Sequence, residues 1–116
     1  MTAQRFAWDE LPADHPMDKI ERRRIVGDKV MISRVTLDAG FEVPSHRHEN
    51  EQLAVVLSGR IRFGVGEEGS VEEIELVGGE TLLLPSNTPH SARAIETTVI
   101  LDVFSPPSET TGVDRG

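Results

Sequence analysis

The sequence contains a pair of histidines, one residue apart, just before an apolar run. His46 and His48 are followed by Gln52 and by the apolar residues 53–57. In an extended segment alternate side chains share a face, so both imidazoles and the Gln52 amide would point the same way. Neutral imidazole is the commonest transition-metal ligand. The pattern therefore predicts part of a metal site, carried on strands, with at least one further ligand elsewhere.

Length and composition limit the classes to which the chain can belong. Its 116 residues have room for one buried core, so we expect a single domain. Hydrophobic residues make up 37% and charged residues 28%, as in ordinary globular proteins. No apolar run approaches the roughly 20 residues that cross a bilayer, and the N-terminal MTAQRFAWDELPADHP lacks the pattern of a signal peptide. We therefore expect a cytoplasmic protein without a membrane partner.

Charge and cysteine content narrow the chemistry. The formal net charge of -8 argues against a nucleic-acid partner, which would require basic surface. The one basic cluster, Arg22 to Arg24, is expected to form an exposed strand face or surface ion pairs. The absence of cysteine removes disulfides, thiolate nucleophiles and sulfur ligands, so nitrogen and oxygen must hold any metal. Attraction for an anionic substrate must be local to its site.

Short apolar stretches separated by glycine, proline and asparagine turns predict an all-β fold of eight or nine strands. The expected strands cover residues 20–26, 30–37, 52–57, 60–65, 71–76, 81–84 and 97–104, and His90 begins another. Residues 52–57 and 60–65 are predicted to form a tight hairpin across Ser58 and Gly59. The glycine-rich residues 64–70 are predicted to connect a second hairpin. We expect an N-terminal arm over residues 1–19, a barrel over 20–104 and a surface tail over 105–116.

Two segments share one pattern, in which a glycine and five further residues precede a functional cluster, His46-x-His48 in the first and Pro85-x-Asn87 in the second. The first reads GFEVPSHRHENEQLAVVLSG over residues 40–59, and the second reads GETLLLPSNTPH over residues 79–90. Together they resemble the two motifs of the cupin superfamily, and the resemblance extends over about residues 30–104. It implies a single-domain double-stranded β-helix, the jelly-roll barrel of small cupins, with one divalent transition metal (Zn, Ni, Fe or Mn) in its mouth. The ligands that it implies are His46, His48, Gln52 and His90.

The chain departs from the commonest cupin pattern at three positions, which are Gln52, Asn87 and Ala94. Many cupins have a glutamate ligand where this chain has Gln52. An amide oxygen and three neutral imidazoles leave the charge of a divalent ion uncompensated, which favours an anionic ligand or transition state. A bulge that shifted the strand by one residue would instead present Glu51 as the ligand.

A narrower resemblance involves the residues DVFSPP at 102–107. With HxHxxxQ, they are similar to the KdgF cupins, which open the ring of unsaturated uronate sugars to the linear keto form. The resemblance implies that Asp102 acts at the metal and that Phe104 contacts the substrate. Related chains carry a basic residue where this chain has Ser108. Arg60, Arg62 or Arg93 is a candidate replacement for binding the substrate, and the sequence does not distinguish them.

Asp102 also stands out from its surroundings, because it interrupts an apolar run and shares a face with Ile100 and Phe104. A carboxylate on such a face should have a raised pKa, suited to proton transfer. The alternative is a strand-end aspartate bonded to a backbone amide or an arginine.

Three functions are consistent with the sequence. The first is a metal-dependent lyase or isomerase that acts on a small oxygenated substrate, with Asp102 moving a proton. The second is a cupin dioxygenase, and the third is a non-catalytic module that binds a small metabolite. Small cupins are commonly dimers, and Trp8 in the N-terminal arm suits a contact between subunits, so we expect a homodimer.

Overall fold

Nine strands in two antiparallel sheets make up the chain in a computed structural model, which describes residues 2–108. The strands are β1 (Ile20–Val26), β2 (Met31–Leu37), β3 (Glu42–His46), β4 (Glu51–Ser58), β5 (Arg60–Val65), β6 (Glu72–Val77), β7 (Thr81–Leu84), β8 (His90–Ala94) and β9 (Thr98–Ser105). One short 3₁₀ helix, Trp8–Glu10, lies in the N-terminal segment. Within residues 2–108 no helix is long and apolar enough to cross a membrane.

The order of the strands is that of a jelly roll. One sheet has the order β1-β2-β9-β4-β7 and the other has the order β3-β8-β5-β6. All of the described pairings are antiparallel. The predicted all-β, jelly-roll fold class is therefore confirmed.

The core fills the space between the two sheets, because alternate residues of each strand point inward. Strand β2 shows the alternation most clearly, since every second residue from Met31 to Leu37 is buried. The buried apolar cluster draws on both sheets and consists of Ile20, Val35, Leu37, Phe41, Val43, Ala54, Val56, Ile61, Phe63, Leu76, Ala94 and Ile100.

The predicted hairpin between β4 and β5 is wrong, because these strands belong to different sheets. Strand β4 pairs with β7 and β9, whereas β5 pairs with β6 and β8. The chain crosses between the sheets at Gly59, whose φ of 93° is in the left-handed region. A β-carbon there would lie 2.6 Å from the Thr98 hydroxyl. Glycine at this position permits the crossing. The hairpin prediction failed because the alternation of side chains along a strand does not indicate which other strands it pairs with.

The predicted connection over residues 64–70 agrees with the antiparallel pairing of β5 and β6. Before β1, Asp14 makes an isolated bridge with Arg22 at the outer edge of the five-stranded sheet. Strand β9 ends at Ser105, and the described part of the chain ends three residues later. Residues 109–116 of the predicted surface tail lie outside the described residues, so the boundaries of arm, barrel and tail stay predictions.

Candidate metal centre

Three histidines converge at one end of the space between the sheets. His46 is the last residue of β3 and lies opposite His90, the first residue of β8. His48 lies in the loop between β3 and β4, so the two histidines of the HxH motif are not on one strand as predicted. The ring centroids are 4.3 Å apart for His46 and His90, 5.1 Å for His48 and His90, and 5.6 Å for His46 and His48. One ring nitrogen of each lies within 4.8 Å of the others, a grouping that could hold a metal ion.

Backbone carbonyls set the tautomer of all three rings. Each Nδ1 atom lies close to the carbonyl oxygen of a residue two positions away. The pairs are His46 with Pro44 at 3.0 Å, His48 with Asn50 at 3.1 Å and His90 with Thr88 at 2.8 Å. Because a carbonyl oxygen only accepts, Nδ1 must carry the proton and donate it, which leaves the lone pair on Nε2. This is the usual arrangement of metal-ligating histidines.

The local environment also keeps His90 neutral. Burial lowers the pKa of His90 to about 4, although its hydrogen bond to the Thr88 carbonyl acts in the opposite direction. Positive charge on His46 and His48 would lower it further. An imidazole that is neutral near pH 7 is a ready metal ligand.

Two buried polar atoms near the cluster test whether a metal fits. The Nε2 atom of His48 and the Oε1 atom of Gln52 have no hydrogen-bond partner within the described structure. Leaving such an atom unsatisfied costs roughly 1–3 kcal/mol. Both atoms are electron-pair donors and both residues line the same cavity, so a cation bound there could satisfy both. The nitrogen and oxygen donor set fits a divalent transition metal.

The alternative register that would present Glu51 is not found in β4. Glu51 is exposed and Gln52 is buried, so the inward face of the strand carries the amide. Gln52 Nε2 donates a hydrogen bond of 2.9 Å to Asp102 Oδ1. This bond orients the amide, because it assigns the nitrogen to Asp102 and leaves Oε1 on the other side.

Asp102 and Phe104 extend the site along β9. Burial raises the pKa of Asp102 to about 6, and the hydrogen bond from Gln52 opposes part of that rise. The ring of Phe104 packs edge-to-face on His48, with centroids 5.8 Å apart and an interplanar angle of 73°. Asp102 can therefore change protonation near neutral pH beside an apolar wall.

These side chains line one cavity of about 70 Å³. Its polar lining comprises Arg22, Ser33, His46, His48, Gln52, His90 and Asp102, and apolar residues such as Phe41, Phe63 and Ile100 form the rest. Liquid water occupies about 30 Å³ per molecule, so the enclosed space has room for two or three waters. It can take the reacting end of a substrate, while a larger substrate would extend through the mouth.

Comparison with known proteins identifies the family. Residues 33–104 match the cupin domain family. The chain is a cupin. Among solved structures, KdgF from Halomonas sp. is 28% identical, with a TM-score of 0.80 over 90% of this chain and 95% of that chain.

Two further solved structures show the fold alone. An RmlC-like cupin from Shewanella frigidimarina is 21% identical, with a TM-score of 0.80 over 92% of this chain and 95% of that chain. A variant of oxalate decarboxylase from Bacillus subtilis is 20% identical, with a TM-score of 0.81, and the match covers 95% of this chain but 32% of that chain.

The expectation that Arg60 or Arg62 binds the substrate requires correction, because neither lines the cavity. In β5 the inward positions are Ile61 and Phe63, so both arginines point outward. Arg60 bonds to Glu75 at 2.6 Å and Arg62 bonds to the same carboxylate at 3.0 Å. Arg93, the third candidate, is exposed and lies 3.7 Å from Glu42. Side-chain alternation along these strands accounts for their outward placement.

The cupin instead places Arg22 in the cavity, and sequence reasoning missed it. Arg22 is 4% exposed, so the prediction of a surface role for residues 22–24 is wrong at this position. The available signal was parity, because Arg22 is two residues from the inward-facing Ile20. Ser33, which is 2% exposed, was also missed. Ser108 does not line this cavity and borders a separate groove with Asp14 and Arg24.

Proposed function

We propose that this cupin is a metal-dependent enzyme of the lyase or isomerase type that acts on a small, oxygenated, anionic substrate. One observation carries the proposal, namely the three imidazoles that share a tautomer and converge on a cavity. That cavity also contains a carboxyl group whose pKa is raised to about 6. A metal site alone would need no such group, whereas a proton-transfer enzyme does.

His46, His48 and His90 would hold the metal through Nε2, and Gln52 would hold it through Oε1. A divalent ion in this site supplies Lewis acidity toward a carbonyl or hydroxyl oxygen of the substrate. The four ligands are neutral, so the site retains positive charge and favours an anion. A neutral amide at Gln52 thus leaves the metal site more positively charged than a glutamate would.

Asp102 would hold and move the proton. Its Oδ1 atom accepts the bond from Gln52 Nε2, which keeps the carboxyl group directed into the cavity. With a pKa of about 6 it is mostly ionised at pH 7 and still retains a protonated fraction. It can therefore take a proton from one atom of a substrate and return it to another, as an isomerisation requires. Phe104 would pack on the apolar part of the substrate and limit the entry of water.

Opening of an unsaturated uronate ring is the reaction to test first. Its support is the likeness to KdgF, together with the presence of Asp102 and Phe104 in the cavity lining. The replacement at Ser108 leaves the recognition of a uronate carboxylate without the family's basic residue, so keto acids and β-diketones belong in the same screen.

The decisive experiment measures metal content and turnover together. We expect about one divalent metal per chain by elemental analysis, and substrate loss followed by the ultraviolet absorbance of the conjugated double bond. Asp102→Asn should retain the metal and lose at least tenfold in turnover. Full turnover by Asp102→Asn would refute the proton-transfer role.

The same assay separates the alternatives. Substrate-dependent oxygen uptake would favour a dioxygenase, whereas unchanged anaerobic turnover would exclude one. Stoichiometric binding of a metabolite with no product in any assay would favour a binding module.

We also propose that the protein is a cytoplasmic homodimer with a small-molecule substrate. Exposed apolar side chains support this assembly, because Val26 on the edge strand β1 is 63% exposed and Phe6 in the N-terminal segment is 48% exposed. Light scattering on the purified protein tests it, and a monomeric mass at micromolar concentration would contradict it.

A further inference from the structure

Arg22 is the buried charge that the proposed chemistry leaves unused. Its side chain is 5% exposed although it lies on β1, an edge strand. Among its partners is Asp14, which is 46% exposed: Asp14 Oδ1 accepts a hydrogen bond of 3.0 Å from Nε, and Oδ2 accepts one of 2.8 Å from Nη2. A guanidinium is costly to bury even when it is paired, so the position of Arg22 relative to the cavity is informative.

Arg22 lines the same cavity as the three histidines. Among residues 2–108 it is the only lysine or arginine in that lining. Ser33, on the neighbouring strand, lines the cavity too and lies opposite Asp102 in the pairing of β2 with β9. The inward face of the five-stranded sheet therefore carries a row of polar groups on four adjacent strands. In strand order they are Arg22, Ser33, Asp102 and Gln52.

The charge of the whole chain makes this placement informative. A protein with a formal net charge of -8 repels small anions at long range. A positive charge inside a cavity of low dielectric acts more strongly than the same charge at the surface. The planar guanidinium also matches the geometry of a carboxylate better than an ammonium does.

We propose that Arg22 is a carboxylate-binding subsite of this cavity. It binds the anionic end of a small substrate whose carbonyl or hydroxyl oxygen faces the histidines, with Asp102 alongside. The substrate class is a short carboxylate that carries an oxygen function near the acid group, such as a 2-keto acid or the acid end of an oxidised sugar. This inference rests on the proposed function, because it names the part of the substrate that the same site recognises.

The test measures binding to the metal-free protein, so that it does not depend on a metal centre. Chelator-treated protein is titrated with pyruvate and, separately, with its uncharged analogue pyruvamide, and binding is followed by NMR shifts. Arg22→Gln should weaken pyruvate binding about tenfold or more and leave pyruvamide binding within twofold of the wild type. Arg62→Gln removes an arginine that lies outside the cavity, and it should bind both compounds as the wild type does.

Asp14→Asn separates recognition from folding, because it breaks the same ion pair but retains the guanidinium. We expect this variant to bind pyruvate as tightly as the wild type or more tightly, since a competing negative charge is removed. A loss of pyruvate binding equal to that of Arg22→Gln would overturn the inference. It would show that the effect comes from the lost ion pair between Arg22 and Asp14 and not from the guanidinium itself. Wild-type binding of pyruvate by folded Arg22→Gln would overturn it as well.

Metal content distinguishes this inference from the proposed function. Arg22→Gln should bind the same amount of metal per chain as the wild type. If no variant binds metal but pyruvate binding still requires Arg22, the proposed function fails and the subsite stands. If metal and turnover are present but pyruvate binding is insensitive to Arg22→Gln, the subsite fails alone.

Discussion

Replacing Asp102 with asparagine should make the metal-free protein less sensitive to pH. The buried position raises the pKa of Asp102 from its ordinary value of 3.8 to about 6. The folded state therefore binds the proton more tightly than the unfolded state. The resulting stability is fully present below pH 3.8 and is lost as pH rises through 6. At about 1.4 kcal/mol for each pH unit, the whole loss is ~3 kcal/mol.

Asparagine keeps the local structure while removing the ionisation. Its Oδ1 atom can still accept the hydrogen bond that Gln52 Nε2 donates. Roughly half of the full effect, ~1–2 kcal/mol, falls between pH 5 and pH 8. The wild type should lose that amount relative to Asp102→Asn over this interval. Titration of the histidines is common to both proteins and cancels in the difference.

The assay is urea unfolding of chelator-treated protein at pH 5, 6.5 and 8, followed by circular dichroism. Asp28→Asn serves as the control, because it removes the same charge from the exposed turn between β1 and β2. Parallel stability curves for the wild type and Asp102→Asn would refute the reasoning. If the wild type instead gains stability relative to Asp102→Asn as pH rises, the pKa of Asp102 is lowered rather than raised. Hydrogen bonds and charges would then outweigh the effect of burial on this carboxyl group.

Three further predictions follow from particular contacts. His90→Gln removes one imidazole, so the amount of bound metal per chain should fall at least tenfold by elemental analysis, while Arg47→Gln, which breaks an exposed ion pair with Glu67, should leave it unchanged. Gly59→Ala should destabilise the protein by about 2 kcal/mol or more in urea unfolding, because it adds both left-handed strain and a clash with Thr98. Gly69→Ala has similar strain with no atom within 4 Å, so it should cost only about 1 kcal/mol, and equal losses would contradict the clash. Arg62→Gln should retain wild-type kcat/KM, because its side chain bonds to Glu75 outside the cavity; a tenfold loss would place it in the site.

Local patterns were sufficient to predict most strands. The bounds predicted for residues 20–26, 60–65 and 81–84 agree with β1, β5 and β7 as observed. Apolar alternation and glycine-rich turns depend on near neighbours in the chain, and for that reason the sequence exposes them directly. The partner of β4 depends on long-range contacts, so the hairpin predicted at Gly59 was wrong.

In the candidate site, too, features set by local spacing were predictable and features set by long-range contacts were not. Spacing within two motifs was enough to select the three histidines that converge in the fold, because both motifs lie at strand ends on one side of the barrel. The tautomers were not predictable, since they depend on which carbonyl each Nδ1 atom meets. The Gln52 bond to Asp102 was equally inaccessible, because its two residues lie 50 positions apart on paired strands.

Residue types and short spacings were enough to predict the cupin family, the all-β architecture and the candidate metal ligands. Which arginine enters the cavity depends instead on how the two sheets pack. Arg62 lies between two apolar residues, so alternation predicts its outward side chain, whereas Arg22 lies between Glu21 and Arg23 and alternation leaves its face ambiguous. The inward face of a strand is set by the sheet that packs against it, and on β1 that packing places Arg22 inside, where it also pairs with Asp14.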